Sequence, residues 1–418
     1  MIGAGWAGLA AAVTAVRAGH DVNLFEATRQ LGGRARGLAV RLPDGGNAVL
    51  DNGQHLLIGA YAQTLRLMRE VGVEPEQVLL RMPLALRFPD GGGLLLPDLP
   101  APWDATVGVL RAKGWRWRDK LSLLWTASGW RSAKFECDET ATVTEVCAGL
   151  TPRVMAELIE PLCVSALNTP AQRSSGQVFL RVVRDGLFGN GEGRWRASNL
   201  LLPRRDLGQL FPEAASAWLS AHGANVHTAR RVQALAPAAN GWLVDGAPFD
   251  RAVLACPARD AARLVETSGA DAKPWLDRAC ALEYEAITTV YAQGSHRLPS
   301  PLLALRSGPG APAQFVFDRG LLGGPEGLLA FVVSASQGDH DTLQRQVLEQ
   351  AAALGWRGLR PVQTVVEKRA TFACVPGVRR PPVIIAPGLL ACGDYVDGPY
   401  PSTLEGAVRS AVEAAAML

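Results

Sequence analysis

The sequence predicts an α/β protein in which a doubly wound, Rossmann-like domain carries an inserted α+β domain. Three observations lead there. Gly3-Ala4-Gly5-Trp6-Ala7-Gly8 fits G-x-G-x-x-G and opens an apolar helical run. The strand-like segment Val22-Asn23-Leu24-Phe25 then ends on Glu26. Beyond these, helical and strand patterns interleave along a chain of 418 residues, enough for two domains or more.

The pattern predicts a first helix over residues 6–18 and short strands over 38–50 around the turn Pro43-Asp44-Gly45-Gly46-Asn47. A helix follows over 60–71, and a hairpin over 84–97 with Pro89-Asp90-Gly91-Gly92 at its tip. Residues 103–190 read as mostly helical, and 206–222 as one helix. Strand signals return at 225–256 and dominate 284–335; a helix at 339–354, strands near 362–392 and a closing helix from about 403 complete the chain. Residues 1–82, 200–265 and 380–418 therefore group as one discontinuous domain, and 83–199 with 266–379 as the inserted domain. Only Met1 and Ile2 precede Gly3, so the first strand is expected to be nearly absent, with the start of the natural chain lying further upstream or the innermost strand shortened.

The glycine loop has a physical logic. Gly3 permits a tight turn, Gly5 lets backbone approach a pyrophosphate, and Gly8 lets helix and strand pack closely. The N–H groups of Trp6 and Ala7 and the positive helix end then face the anion. Glu26 stands where a carboxylate accepts from ribose hydroxyls. Far downstream lie Gly393-Asp394 and Ser402-Thr403-Leu404-Glu405-Gly406-Ala407. Ser402 and Glu405 have capping-box spacing, which predicts Ser402 as the N-cap of the closing helix. A helix start at Thr403 and Leu404 favours negative charge on a reduced ring, so the C-terminus is expected to complete the cofactor pocket. That favours FAD over NAD.

These phrases, with Leu31-Gly32-Gly33-Arg34-Ala35, resemble the FAD-dependent amine oxidase and phytoene desaturase superfamily over nearly the full length. The resemblance implies that Gly32, Gly33 and Arg34 approach the diphosphate and flavin, that the Val232 backbone meets adenine, and that Asp394 meets the ribityl chain or diphosphate. Longer phrases are narrower. Asp51-Asn52-Gly53-Gln54-His55-Leu56-Leu57-Ile58-Gly59-Ala60-Tyr61, Glu160-Pro161-Leu162-Cys163, Ala166-Leu167-Asn168-Thr169-Pro170 and Tyr400-Pro401-Ser402-Thr403-Leu404-Glu405-Gly406-Ala407-Val408-Arg409-Ser410 resemble the hydroxysqualene dehydroxylase family. That family implies reductive removal of an allylic hydroxyl by FADH2, giving squalene for hopanoid synthesis, with Asn52, Gly53 and Gln54 among the cofactor contacts.

Hydroxide is a poor leaving group, so a proton donor is required. His55, Tyr395 and Tyr400 are the catalytic candidates. His55 reads either as a polar group near the ring or as a tie within the Asp51 loop; Tyr395 and Tyr400 read as ring walls, proton donors or core packing. Asp51 can bind cofactor or cap a turn. A polyene desaturase would use the same apolar tunnel. An amine oxidase fits less well, because the residue two before Glu405 is Thr403 and not an aromatic.

A net charge of +3 gives no case for nucleic acid. Cys137, Cys147, Cys163, Cys256, Cys280, Cys374 and Cys392 form no C-x-x-C pair and read as reduced, buried thiols of a cytoplasmic protein without structural metal. No export signal or spanning helix is expected. Residues 111–134 hold seven Lys and Arg against one acid, Asp119, together with Trp115, Trp117, Trp125 and Trp130. This stretch reads either as a patch that sits among lipid headgroups or as a surface helix with core tryptophans. The partners implied are a lipophilic isoprenoid substrate and an electron donor that the sequence does not identify.

Overall fold

The computed structural model describes residues 1–418. Its central sheet runs Asn225–His227, Asn23–Phe25, Ile2, Ala252–Leu254, Leu389–Ala391, Ile384–Ala386, all parallel except the last. The innermost position is Ile2 alone, which bridges to Phe25 on one side and Leu254 on the other. It suffices because the backbone ladder is complete there: Ile2 N–H donates to Val253 O at 2.9 Å, Gly3 N–H to Phe25 O at 2.8 Å, and Ala255 N–H to Ile2 O at 2.8 Å. Leu24, Val253, Leu254 and Leu389 are fully buried, as a sheet covered on both faces requires.

Helix Trp6–Arg17 covers one face and packs on Pro212–Ala221 and the closing helix Leu404–Ala415. Alanines 10, 11, 12, 215, 411 and 414 are all wholly buried, so the helices approach closely. The other face carries a three-stranded meander, Leu235–Ala238, Gly241–Val244 and Ala247–Phe249, where a doubly wound sheet would carry helices. Trp242 fastens it by donating to Pro387 O at 3.1 Å, and Phe249 meets Phe25 edge-on at 6.1 Å.

A second, antiparallel sheet orders Leu302–Ala304, Phe315–Asp318, Leu328–Ser334, Tyr284–Gln293 and Arg360–Phe372. Alternation sorts its side chains. Val290, Leu329, Phe331 and Val333 pack with Val347 of helix His340–Ala353, whereas Tyr291, Leu328, Ala330 and Val332 join the main core. Residues 103–188 supply helices, among them Trp103–Leu110, Trp117–Ser132 and Gly176–Phe188. The single helix expected over 206–222 is instead two, Leu207–Leu210 and Pro212–Ala221, because Pro212 lacks the N–H to continue the first and starts the second.

Candidate functional site

The glycine loop has the shape of a ligand cradle. A Cβ on Gly8 would sit 1.8 Å from Gly3 O, and one on Gly3, at φ +108°, would sit 2.8 Å from Ala255 O. Packing within the protein therefore demands both glycines. Gly5 differs: its φ is −73° and the nearest atom to a Cβ there is Gly33 Cα at 3.8 Å. Nothing in the protein requires glycine at position 5, which fits a phosphate group approaching from outside. No side chain caps the helix that follows. The Trp6 side chain points inward, its indole donating to Ala35 O at 3.1 Å and packing on Phe211, so Trp6 and the buried Ala7 can offer a ligand only backbone.

Glu26 Oε2 accepts from Ala4 N–H at 2.8 Å, and Oε1 from Thr28 N–H at 2.8 Å. Oε1 also accepts from Thr28 Oγ1 at 2.9 Å, so Oε2 is the oxygen that keeps lone-pair capacity for a hydroxyl. Arg230 N–H donates to Glu26 O at 2.8 Å, which brings the buried Val232 segment alongside.

The second glycine turn meets the first at the parallel bridge Gly5–Gly32, with Gly32 and Gly33 both at positive φ. Arg34 serves as a clasp. Its Nη2 donates to Asp394 Oδ1 at 2.5 Å and its Nη1 to Ala370 O at 2.7 Å. Burial opposes the guanidinium charge, and Asp394 outweighs it, so Arg34 is held above its ordinary pKa. Asp394 Oδ2 accepts from Ser402 Oγ. One chain of bonds thus ties residues 34, 394 and 402 and fixes the Arg34 side chain beside the second glycine turn. Asn52 Nδ2 reaches Arg34 O at 3.4 Å, and Gly393 N–H donates to Ser410 Oγ at 2.9 Å.

The closing helix corrects two expectations. Its N-cap is Thr403, whose side chain accepts from Gly406 N–H at 3.0 Å, not Ser402, whose hydroxyl serves Asp394. Glu405 does not bond back to form a capping box. Its carboxylate accepts from Gln63 N–H at 3.1 Å, Thr64 N–H at 2.9 Å and Thr64 Oγ1 at 2.8 Å, capping the separate helix Ala62–Glu70. The Glu405 side chain is thus a joint between elements, and only Leu404 and Thr403 present the helix start.

His55 Nδ1 lies 2.6 Å from Gly53 O. A carbonyl can only accept, so Nδ1 carries the proton and Nε2 is a bare acceptor. Burial lowers the His55 pKa, with the Gly53 bond opposing, so the ring is neutral and holds its own loop. Gln54 orders that loop too: its N–H reaches Thr289 Oγ1 at 3.5 Å, and its Oε1 accepts from Arg319 Nη1 at 3.4 Å. Tyr395 is buried, its hydroxyl has no partner, and burial pushes its pKa far up. A buried orphan hydroxyl of this kind fits a polar group supplied by a ligand. Tyr400 donates to Asp185 Oδ2 at 3.0 Å, and burial followed by Asp185 raises its pKa.

Asp51 reaches the start of helix Leu207–Leu210. Wholly buried, it accepts from Leu207 N–H at 2.8 Å and faces Arg319 at 3.8 Å, while Oδ2 has no hydrogen bond. Burial, only partly offset by Arg319, raises its pKa to about 6. Sequence reasoning missed Arg319, Asp185 and Thr64. The one local hint was an arginine directly after the fully buried strand Phe315–Asp318. Cys280 also departs from expectation, being exposed, whereas burial pushes Cys147, Cys163, Cys256, Cys374 and Cys392 up to about 12.

Helix Gly176–Phe188 leans over this region. Asp185 meets Tyr400, and Gly186 lies against Ile58, three residues past His55. Residues 181–187 are half-buried on every side. A surface depression of about 300 Å³ beside Tyr400 is lined by Gln63, Arg380, Arg409 and Glu413, too charged to serve as an apolar sleeve. No three His, Cys, Asp or Glu side chains gather as a metal site, and no helix is long and apolar enough to cross a membrane.

Fold and cradle together define a flavin-dependent oxidoreductase. The chain belongs to the flavin containing amine oxidoreductase family, whose model matches residues 6–418. It is 32% identical to the hydroxysqualene dehydroxylase of Rhodopseudomonas palustris, over 99% of this chain and 96% of that protein. It is 28% identical to the hydroxysqualene dehydroxylase of Sinorhizobium fredii, over the same shares. Within the family, the chain groups with these dehydroxylases. An oxidoreductase from Methanosarcina mazei shares the fold, at TM-score 0.74 and 15% identity over 99% of this chain and 98% of that one.

Proposed function

We propose that this protein uses FAD, as FADH2, to remove the hydroxyl of hydroxysqualene reductively and release squalene, within hopanoid synthesis. The end-to-end relationship to hydroxysqualene dehydroxylases, at 32% identity over 99% of the chain, carries this reading. The cradle supports the cofactor: Gly5 is open to a diphosphate, the helix behind it is uncapped, and Glu26 can still accept from ribose. Bound there, the flavin supplies the hydride.

The chain's own groups supply position and a proton. The residues that would hold the cofactor are Gly3, Gly5, Gly8, Glu26, Gly32, Gly33, Val232, Gly393, Asp394, Thr403 and Leu404. His55 gives its Nδ1 proton to the Gly53 carbonyl and burial disfavours a second proton, which favours another group as the proton donor. The Tyr395 hydroxyl, buried without a protein partner, suits a hydrogen bond to a bound ligand. Tyr400 is half-buried, so on turning its hydroxyl away from Asp185 it can deliver a proton to a departing hydroxyl and take one back from solvent. Half-buried Ile58, Val183, Leu187 and Leu404 at the same junction would exclude water from an allylic centre.

Anaerobic incubation of the FAD-loaded protein with hydroxysqualene after photoreduction tests the reading. Squalene is the expected product. Unchanged hydroxysqualene would overturn it, and flavin reduction on adding squalene would replace it with a polyene desaturase.

A further inference from the structure

Helix Trp117–Ser132 places Trp117, Leu121 and Trp125 at i, i+4 and i+8, hence on one face, and they are 67%, 60% and 84% exposed. A core helix would bury such a stripe. The other two tryptophans of this stretch do so: Trp115 donates to Glu157 at 2.9 Å and Trp130 to Val146 O at 2.8 Å, both from buried rings. The stripe extends onto the preceding helix. Lys120 lies over the Trp117 ring at 5.2 Å and donates to Leu110 O at 2.6 Å, so the exposed Leu110 end of Trp103–Leu110 adjoins Trp117. Trp103, one face along at i−7 from Leu110, is 63% exposed.

Charge surrounds these side chains. Arg111, Lys113, Arg116, Arg118, Arg131 and Lys134 are all exposed. The single acid, Asp119, is 1% exposed and turned inward, accepting from Arg116 N–H at 2.8 Å and Thr151 Oγ1 at 2.7 Å. The outward surface is therefore cationic and aromatic, with no carboxylate from residues 111–134. A second copy of this chain is a poor occupant, because a two-fold contact would set this cationic face against itself.

We infer that residues 103–134 form a docking surface for anionic lipid bilayers, with Trp103, Trp117, Leu121 and Trp125 entering the headgroup region and the cations meeting phosphates. The buried Trp115–Glu157 bond, extended by Arg306 to Glu157 at 3.1 Å, fixes this surface to the inserted domain.

Flotation of the FAD-loaded full chain with phosphatidylcholine vesicles, with and without phosphatidylglycerol, tests it. Binding is expected on the anionic vesicles, weakening as salt is raised. Arg118→Gln with Arg131→Gln, both lacking structural partners, should bind about thirty-fold more weakly, taking the usual contribution of a surface cation near anionic lipid for each. Leu121→Ser with Trp125→Ser should weaken binding to the anionic vesicles while leaving thermal stability unchanged, since both side chains are exposed. Absence of wild-type binding at low salt, or retention of wild-type affinity by both variants, would overturn the inference. So would a dimer in sedimentation velocity that Trp125→Ser dissolves.

Discussion

Glu405 offers the sharpest test of how the C-terminus is held. Its carboxylate is 2% exposed and accepts three bonds from the start of helix Ala62–Glu70, two of them from Thr64, itself 1% exposed. Glu405→Ala strands the Thr64 N–H and hydroxyl in the interior. Each buried donor without an acceptor costs about 1–3 kcal/mol, and the lost charge at a helix N-terminus about 0.3–1 kcal/mol more. Removing a buried charge returns part of this, and a water can enter the space vacated. The expected net loss is about 3 kcal/mol. Glu405→Gln keeps an oxygen for Thr64 and should lose about 1 kcal/mol. Arg409, at 3.7 Å from Glu405 and largely in solvent, should matter little. Urea denaturation of flavin-free protein reads these values, provided the m-value is unchanged. A loss below about 1 kcal/mol for Glu405→Ala would refute the clamp. So would additivity with Thr64→Val, since bonded partners must couple.

Gly5→Ala and Gly8→Ala should separate ligand demand from packing demand. Gly5→Ala should keep stability within about 0.5 kcal/mol and weaken FAD binding more than about tenfold, whereas Gly8→Ala should fail to give soluble folded protein. Equal stability losses would contradict that division. Asp51 should set a pH dependence. Its folded pKa, about 6, lies above the unfolded value near 3.9, so its stabilisation is whole below pH ~4 and is lost as pH rises through about 6. Two units amount to about 3 kcal/mol, and Asp51→Asn should flatten that slope; parallel pH profiles for the two proteins would show the assignment is wrong. Tyr400→Phe should lower squalene formation about 10²–10⁴-fold with FAD affinity intact, and wild-type turnover in that variant would remove Tyr400 as the donor. Thr403→Ala should cost about 1 kcal/mol in a melt, and no change would leave the closing helix uncapped in effect.

Local patterns carried the cofactor half of this protein. The loop from Gly3 to Gly8, its helix and the acid at Glu26 are contiguous, and each requirement there is a backbone requirement that glycine or strand periodicity reveals. The hairpins and the closing helix were legible for the same reason. The exposure of Trp117 and Trp125 against the burial of Trp115 and Trp130 was not, since all four share one short stretch and only the packing of neighbouring helices divides them.

What the sequence determined by itself was the chain's local geometry and its kinship: where backbone must turn tightly, where a helix must start, and which family's phrases recur. What tertiary structure decided was the partner of each polar side chain. Glu405 left its own helix for Thr64, Ser402 went to Asp394 instead of capping, and Asp51 came to face Arg319 across 268 positions of chain, a separation given by 319 − 51. A buried polar group must find a complement wherever the fold brings one, and sequence spacing carries no record of that distance once the chain has closed on itself.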